Sequence, residues 1–172
     1  MSRLYPFCWS PSEQANAVAD ALAARLTKIA VGDPRSEATR MGPLVTRAQQ
    51  AAALDGIRTL ASEAEFICGG LAAPKRDGID SAKSAFVAPT LLRVESADKA
   101  RLVHHTEVFG PAATIIPYSS ENEAFALIAR GGGSLVVSVF GDDREFLARA
   151  VSELGPTHGR VLAVDPSIAD AR

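Results

Sequence analysis

The sequence predicts an α/β fold in three layers, a mostly parallel sheet with helices on both faces. Three observations carry this: strand-like and helix-like segments alternate through the last third of the chain, the apolar runs there are near-continuous Val, Ile and Leu rather than alternating, and capping residues precede the helical segments. With 172 residues and 47% hydrophobic content the chain is long enough for one core. A chain of this size buries about 70% of its unfolded surface. A single domain over residues 1–172 is therefore expected.

From Ser10 the order SPSE sets Ser as N-cap, Pro at the first helical position and Glu13 at the third, which predicts a helix start. Val18, Leu22, Leu26 and Ile29 recur at spacings of three and four, so one stripe of that helix should face a core, and Gly32-Asp33-Pro34 should end it. Cys8 falls in a strand expected just ahead of it. Thr46 with Gln49 repeats the capping pattern, and Ala52, Ile57, Leu60 and Ala64 mark a second helix to about Ala64. Glu65 to Cys68 is short and β-prone and closes on Gly69-Gly70, a strand followed by a tight turn. Ala72 to Lys83 has no period and reads as an exposed loop. Phe86 to Val94 reads as extended, with Pro89 at a bend or edge because it has no N–H to give a ladder.

The last third is the most regular part. Ala113 to Pro117 reads as a strand, Ser120 with Glu123 caps a helix to Arg130, Ser134 to Phe140 is a strand, Asp142 with Glu145 caps a helix to Leu154, and Arg160 to Val164 is a strand. These strands are expected to lie parallel with right-handed crossovers. Gly131-Gly132-Gly133 ends a helix and feeds a strand, the reverse of the order in which glycines cradle a phosphate.

Composition excludes several function classes. Eighteen basic against twenty acidic residues, no Lys/Arg block and 6% aromatics argue against nucleic acid as a partner. No apolar run approaches the roughly 20 residues that span a bilayer, and MSRLYPFCWSPSE has no sustained apolar segment, so no membrane contact is expected and the location should be cytoplasmic. Cys8 and Cys68 have no second ligand at metal spacing, and no metal site is expected. The pair His104-His105 should point to opposite sides of an extended chain, as polar surface residues before a turn.

The segment HHTEVFGPAATIIPY holds the candidate site. Gly110 and Pro111 fix the chain direction into the following strand, which leaves Glu107 and Phe109 on an exposed loop held by a rigid element. A carboxylate there can accept two hydroxyl hydrogen bonds, as a ribose diol offers, and a nearby ring can pack on a flat heterocycle. The alternative is a surface Glu beside a Phe that plugs the core.

Taken in order, Val31-Gly32-Asp33-Pro34, Met41-Gly42-Pro43-Leu44-Val45, Gly69-Gly70, Ala88-Pro89-Thr90-Leu91-Leu92 and Glu107-Val108-Phe109-Gly110-Pro111 make the chain resemble the C-terminal part of the aldehyde dehydrogenase catalytic domain. ALAARLTKIAVGDPR and HGRVLAVDP look most like the dehydrogenase part of the bifunctional enzymes of phenylacetate degradation. The resemblance implies NAD(P)-dependent oxidation of a small-molecule aldehyde to a carboxylic acid through a cysteine thiolate and a glutamate base. It implies NAD or NADP as cofactor, with Glu107 on the nicotinamide ribose and Phe109 positioning the nicotinamide ring.

The family's nucleophile lies in a G-Q-x-C-like segment. Counting back from Pro11 lands on Ser2, where MSRLYPFCW matches nothing of that motif. Cys8 is the one shifted candidate, the other reading being a buried or incidental thiol. The expectation is therefore a partial catalytic domain, truncated and inactive alone, with the cofactor-binding domain absent and NAD(P) not held tightly. The competing reading is a non-catalytic interaction domain that forms a homo-oligomer or associates with an intact dehydrogenase subunit.

Overall fold

The computed structural model describes residues 7–74, 80 and 84–169. Ser2, most of the expected Ala72 to Lys83 loop and the terminal Ala171-Arg172 lie outside the described residues. The described chain forms two compact units, one up to Tyr118 and the other from Ser119 onward.

The first unit is built on a four-stranded sheet of β1 (Phe7–Pro11), β2 (Ala64–Cys68), β3 (Thr90–Val94) and β4 (Ala112–Tyr118), in the order β1-β4-β3-β2. β4 runs parallel to both β1 and β3, while β2 pairs antiparallel with β3. In register, Cys8 lies beside Ile115 and Leu91 beside Ala113. Side-chain alternation puts these four on one face, against Ala19 of α1 (Ala15–Leu26). Ile115 and Leu91 are sealed from solvent there. Each such aliphatic side chain contributes about 1.5–3 kcal/mol through its removal from water.

α1 starts later than the SPSE pattern predicts. Ser10 and Pro11 belong to β1, and Ser12 donates both its N–H and its Oγ hydrogen to the Tyr118 carbonyl, at 2.8 Å each. The ladder thus claims the residues that would have capped the helix. Gln14 takes the cap position without a side-chain bond. α1 also stops at Leu26 rather than near Gly32, with Thr27 Oγ1 donating to the Ala23 carbonyl at 2.9 Å. α2 (Arg47–Leu60) does start as expected, the Thr46 hydroxyl accepting from the Gln49 N–H at 3.1 Å. It ends before Ala64, which β2 recruits.

The second unit holds α3 (Glu121–Arg130), β5 (Val136–Phe140), α4 (Arg144–Leu154), β6 (Arg160–Val164) and a short α5 (Pro166–Ala169) that the sequence reading missed. β5 and β6 pair parallel in a sheet of their own. The sequence reading expected β4, β5 and β6 as successive strands of one sheet; hydrogen bonding instead commits β4 to β1 and β3. Ser120 accepts from the Glu123 N–H at 3.3 Å, and the Glu123 carboxylate accepts from the Ser119 N–H at 2.6 Å, a reciprocal cap. α4 is capped by Asp143 rather than Asp142, its carboxylate accepting from the Glu145 and Phe146 N–H groups. Gly132 and Gly133 both take positive φ, and a side chain on Gly133 would strike the backbone of Thr157. The glycine run therefore ends a helix and feeds a strand, as expected.

Candidate functional site

The loop from Glu107 to Pro111 is set against α2 by size matching. Ala53 is buried on α2, and Gly56 follows one turn later on the same face. A Cβ on Gly56 would come within 2.9 Å of Val108 Cγ2, and a Cβ on Gly110 within 2.8 Å of the Ala53 Cβ. Val108 therefore seats in a notch of the helix, where it is buried. Gly110 is glycine because there is no room for more.

Two consecutive tight turns fix the loop's exit: Gly110 N–H donates to the Val108 carbonyl at 3.0 Å and Ala112 N–H to the Gly110 carbonyl at 2.8 Å. With Val108 turned inward, the residues on either side of it keep access to solvent. Phe109 is 71% exposed and Glu107 half-buried. The loop thus offers a carboxylate and an open phenyl face. Such a pair can accept from a diol and pack on a planar ring.

Two of the other motifs, Gly69-Gly70 and Ala88 to Leu92, meet this loop through Thr90. Its N–H donates to the Pro111 carbonyl at 2.8 Å, its Oγ1 accepts from the Gly70 N–H at 3.1 Å, and the same hydroxyl donates to the Ala88 carbonyl at 2.9 Å. Gly69 has φ of 78°, and a side chain there would collide with Pro89 and Thr90. Further along, the Leu44 N–H donates to the Ala85 carbonyl at 2.9 Å and Gln50 Nε2 to the Phe86 carbonyl at 2.8 Å. Segments that are scattered in sequence are therefore joined by hydrogen bonds.

His104 corrects an expectation. The pair does split, but His104 is buried rather than a surface residue. Its ring stacks on Trp9 at 5.8 Å and meets Phe7 edge-on at 6.5 Å, on the sheet face opposite Cys8. His105 is exposed.

Cys8 lies on the α1 face of β1, packed on Ala19, Leu91 and Ile115. Burial pushes its thiol pKa above the ordinary value, which opposes the thiolate a nucleophile needs. The sheet separates this sulfur from the His104 turn that leads toward Glu107. Cys68 packs on the same core, with its pKa also raised by burial.

Sequence reasoning did not find Ala53 and Gly56. The available signal was a lone Gly inside a helical pattern, which costs about 1 kcal/mol relative to Ala and so needs a packing reason.

The aldehyde dehydrogenase family model matches residues 11–170. The chain is 45% identical over 159 residues to 3,4-dehydroadipyl-CoA semialdehyde dehydrogenase of Aromatoleum evansii, covering 92% of this chain and 31% of that protein. A double mutant of the betaine aldehyde dehydrogenase of Staphylococcus aureus, solved with NAD+, superposes with a TM-score of 0.81 at 26% identity, covering 93% of this chain and 31% of that one. A mutant of aldehyde dehydrogenase C of Pseudomonas syringae, solved with NAD+ and octanal, superposes with a TM-score of 0.79 at 26% identity, covering 94% of this chain and 32% of the other. The chain thus spans about a third of the length of these relatives while sharing their three-layer α/β fold. An ordered set of motifs, three of them tied together by Thr90, a loop keyed to α2 and a family match along nearly the whole sequence lead to one assignment: this chain belongs to the aldehyde dehydrogenase family.

Proposed function

We propose that the chain is part of the catalytic domain of an NAD(P)-dependent aldehyde dehydrogenase, in which Glu107 accepts the hydroxyls of the nicotinamide ribose and Phe109 packs on the nicotinamide ring. The observation that carries this is the seating of Val108 in the α2 notch, with Phe109 exposed on one side of it and Glu107 half-buried on the other. The residues fit the cofactor: a planar ring needs an open apolar face, and a diol needs an acceptor-only group. NAD(P), when bound, would take the hydride from the aldehyde carbon. The chain's own part is orientation, which lowers a barrier by holding reacting groups in register.

The 172 residues alone do not turn over aldehyde in this reading. Support comes from Cys8, which is half-buried against the α1 face and whose pKa that burial raises, favouring the thiol. A ribose contact of this kind contributes about 1–3 kcal/mol, so NAD(P) binding by the chain alone falls below detection at micromolar concentration. The substrate class favoured by the 45% identity is a semialdehyde of aromatic-compound breakdown, the phenylacetate type included. Among the described residues no helix is long and apolar enough to cross a membrane; a cytoplasmic location is part of this proposal.

The test is a titration of the labelled chain with nicotinamide mononucleotide at millimolar concentration. Amide shifts at Glu107 and Phe109 are expected, and their absence would refute the cofactor reading. Incubation with aldehydes and NAD+ or NADP+ should give no cofactor reduction; turnover that disappears in Cys8→Ala would instead make Cys8 the nucleophile.

A second reading is favoured by one observation. β5 and β6 expose Val136, Phe140 and Leu162 at 44%, 70% and 47%, on alternate positions of one sheet face. Such a face suits a non-catalytic role in association with a second copy or an intact subunit. Light scattering after size-exclusion chromatography decides this, since a monodisperse monomer at high concentration would count against it.

A further inference from the structure

We propose that Glu63 is a positioning residue for the Glu107 to Pro111 loop, acting through the turn that precedes it. This rests on the cofactor reading above and deepens it. Glu63 lies just past the end of α2, and its carboxylate gathers three backbone donors: the Arg101 and Leu102 N–H groups reach Oε2 at 2.9 and 3.0 Å, and the Val103 N–H reaches Oε1 at 2.6 Å. These groups open a 3-10 turn, Leu102–His104, and a turn start leaves its N–H groups without partners inside the turn. An ionised carboxylate is an acceptor with two oxygens, so three N–H groups converge on it without conflict.

The hydrogen bonding continues from there to the loop. His105 and Thr106 N–H groups both donate to the Leu102 carbonyl, at 2.9 and 2.8 Å, and Glu107 is the next residue. Val103 and His104 are buried within the turn, the latter on Trp9. The loop is therefore fastened twice to one helix. Glu63 holds its approach at the end of α2, and the Ala53 and Gly56 notch holds Val108.

Loss of the carboxylate leaves three N–H groups to find water and frees the turn to fray. Apparent affinity for a ligand of the loop falls in proportion to the fraction of molecules that keep the competent conformation. Trp9 is the sole tryptophan, so its emission reports the His104 stack directly.

The experiment compares wild type, Glu63→Ala, Glu63→Gln and the charge control Glu65→Ala, an exposed residue of β2. Three readouts are taken: Trp9 emission, amide exchange at Val108, Phe109 and Gly110, and the millimolar affinity for nicotinamide mononucleotide. Glu63→Ala is expected to alter the emission, to speed exchange about tenfold and to weaken the nucleotide about tenfold. Glu63→Gln keeps one acceptor oxygen and should recover part of each effect, while Glu65→Ala should leave all three unchanged. Wild-type emission and exchange in Glu63→Ala, or in Glu63→Gln if the alanine variant does not fold, overturn the proposal. A wild-type chain that shows no nucleotide-dependent shift at Glu107 or Phe109 overturns the cofactor reading instead, and emission and exchange then decide Glu63's hold on the loop by themselves.

Discussion

β4 of the first unit and β5 of the second are both rich in β-branched residues and end on an aromatic ring, AATIIPY against VVSVF, yet they sit in different surroundings. β4 has a strand on each side, and Ile115 and Ile116 are sealed; β5 has one neighbour, and its residues alternate between exposed and half-buried. Apolar content thus sets what a strand can bury, while the number of neighbouring elements sets what it does bury. A site needs a rigid mount, and in this chain the well-covered unit carries the candidate loop.

Substitutions that remove apolar groups from the two strands should break this contrast most clearly. Ile115→Ala empties a sealed position and should cost about 2–5 kcal/mol in urea unfolding. A cost below about 1 kcal/mol would mean that β4 is not the core strand its burial indicates. Thr90→Val tests the cross-links rather than the core. It leaves the Gly70 N–H without its side-chain acceptor, and the expected loss is about 1–3 kcal/mol together with faster amide exchange at Gly70.

Gly56→Ala sets two effects against each other. Alanine gains about 1 kcal/mol of helix propensity, but its Cβ would press on Val108, whose branched side chain has little room to turn. Stability should change by less than about 1 kcal/mol while the amide shifts of Val108 and Phe109 move. Unchanged shifts would show that the notch does not hold the loop. In the second unit, Phe140→Ser should alter unfolding by less than about 0.5 kcal/mol because the ring is already exposed.

The smallest effect concerns Asp33. Hydrogen bonds from the Arg35 side chain and backbone, at 2.6–3.1 Å, hold its carboxyl at about 2, below its ordinary value of 3.8. A carboxyl lowered by folding adds stability above its unfolded pKa, and that contribution disappears as pH falls from 3.8 toward 2. The pair is fully exposed, so NMR titration is a better probe than melting. Arg35→Ala should return the Asp33 midpoint toward the ordinary carboxylate range.

How much was legible follows from what each signal depends on. The caps at Thr46 and Ser120 are local chemistry, one side chain and an N–H three residues away, and both are present. Ser10 carried the same local signal and failed, because β4 lies far along the chain and its Tyr118 carbonyl holds Ser12. The split of the sheets was hidden for a related reason: strand runs reveal burial, not which edge each strand will meet. The solvent access of Glu107 and Phe109 ahead of β4 was legible from the constraints of Gly110 and Pro111. Their mount was not, since Ala53, Gly56 and Glu63 become neighbours of the loop only once α2 is in place.

Thr90 also fastens the ends of a long excursion, because Gly70 and Thr90 meet there through a hydrogen bond. Ala85, Phe86 and Val87, just ahead of Thr90, are buried, and the Ala85 and Phe86 carbonyls accept from Leu44 and Gln50, so the chain returns to Thr90 along a segment with anchors of its own. Cutting the Thr90 hydroxyl should therefore release the Gly70 end first, while the Pro111 register, held by the Thr90 N–H, persists.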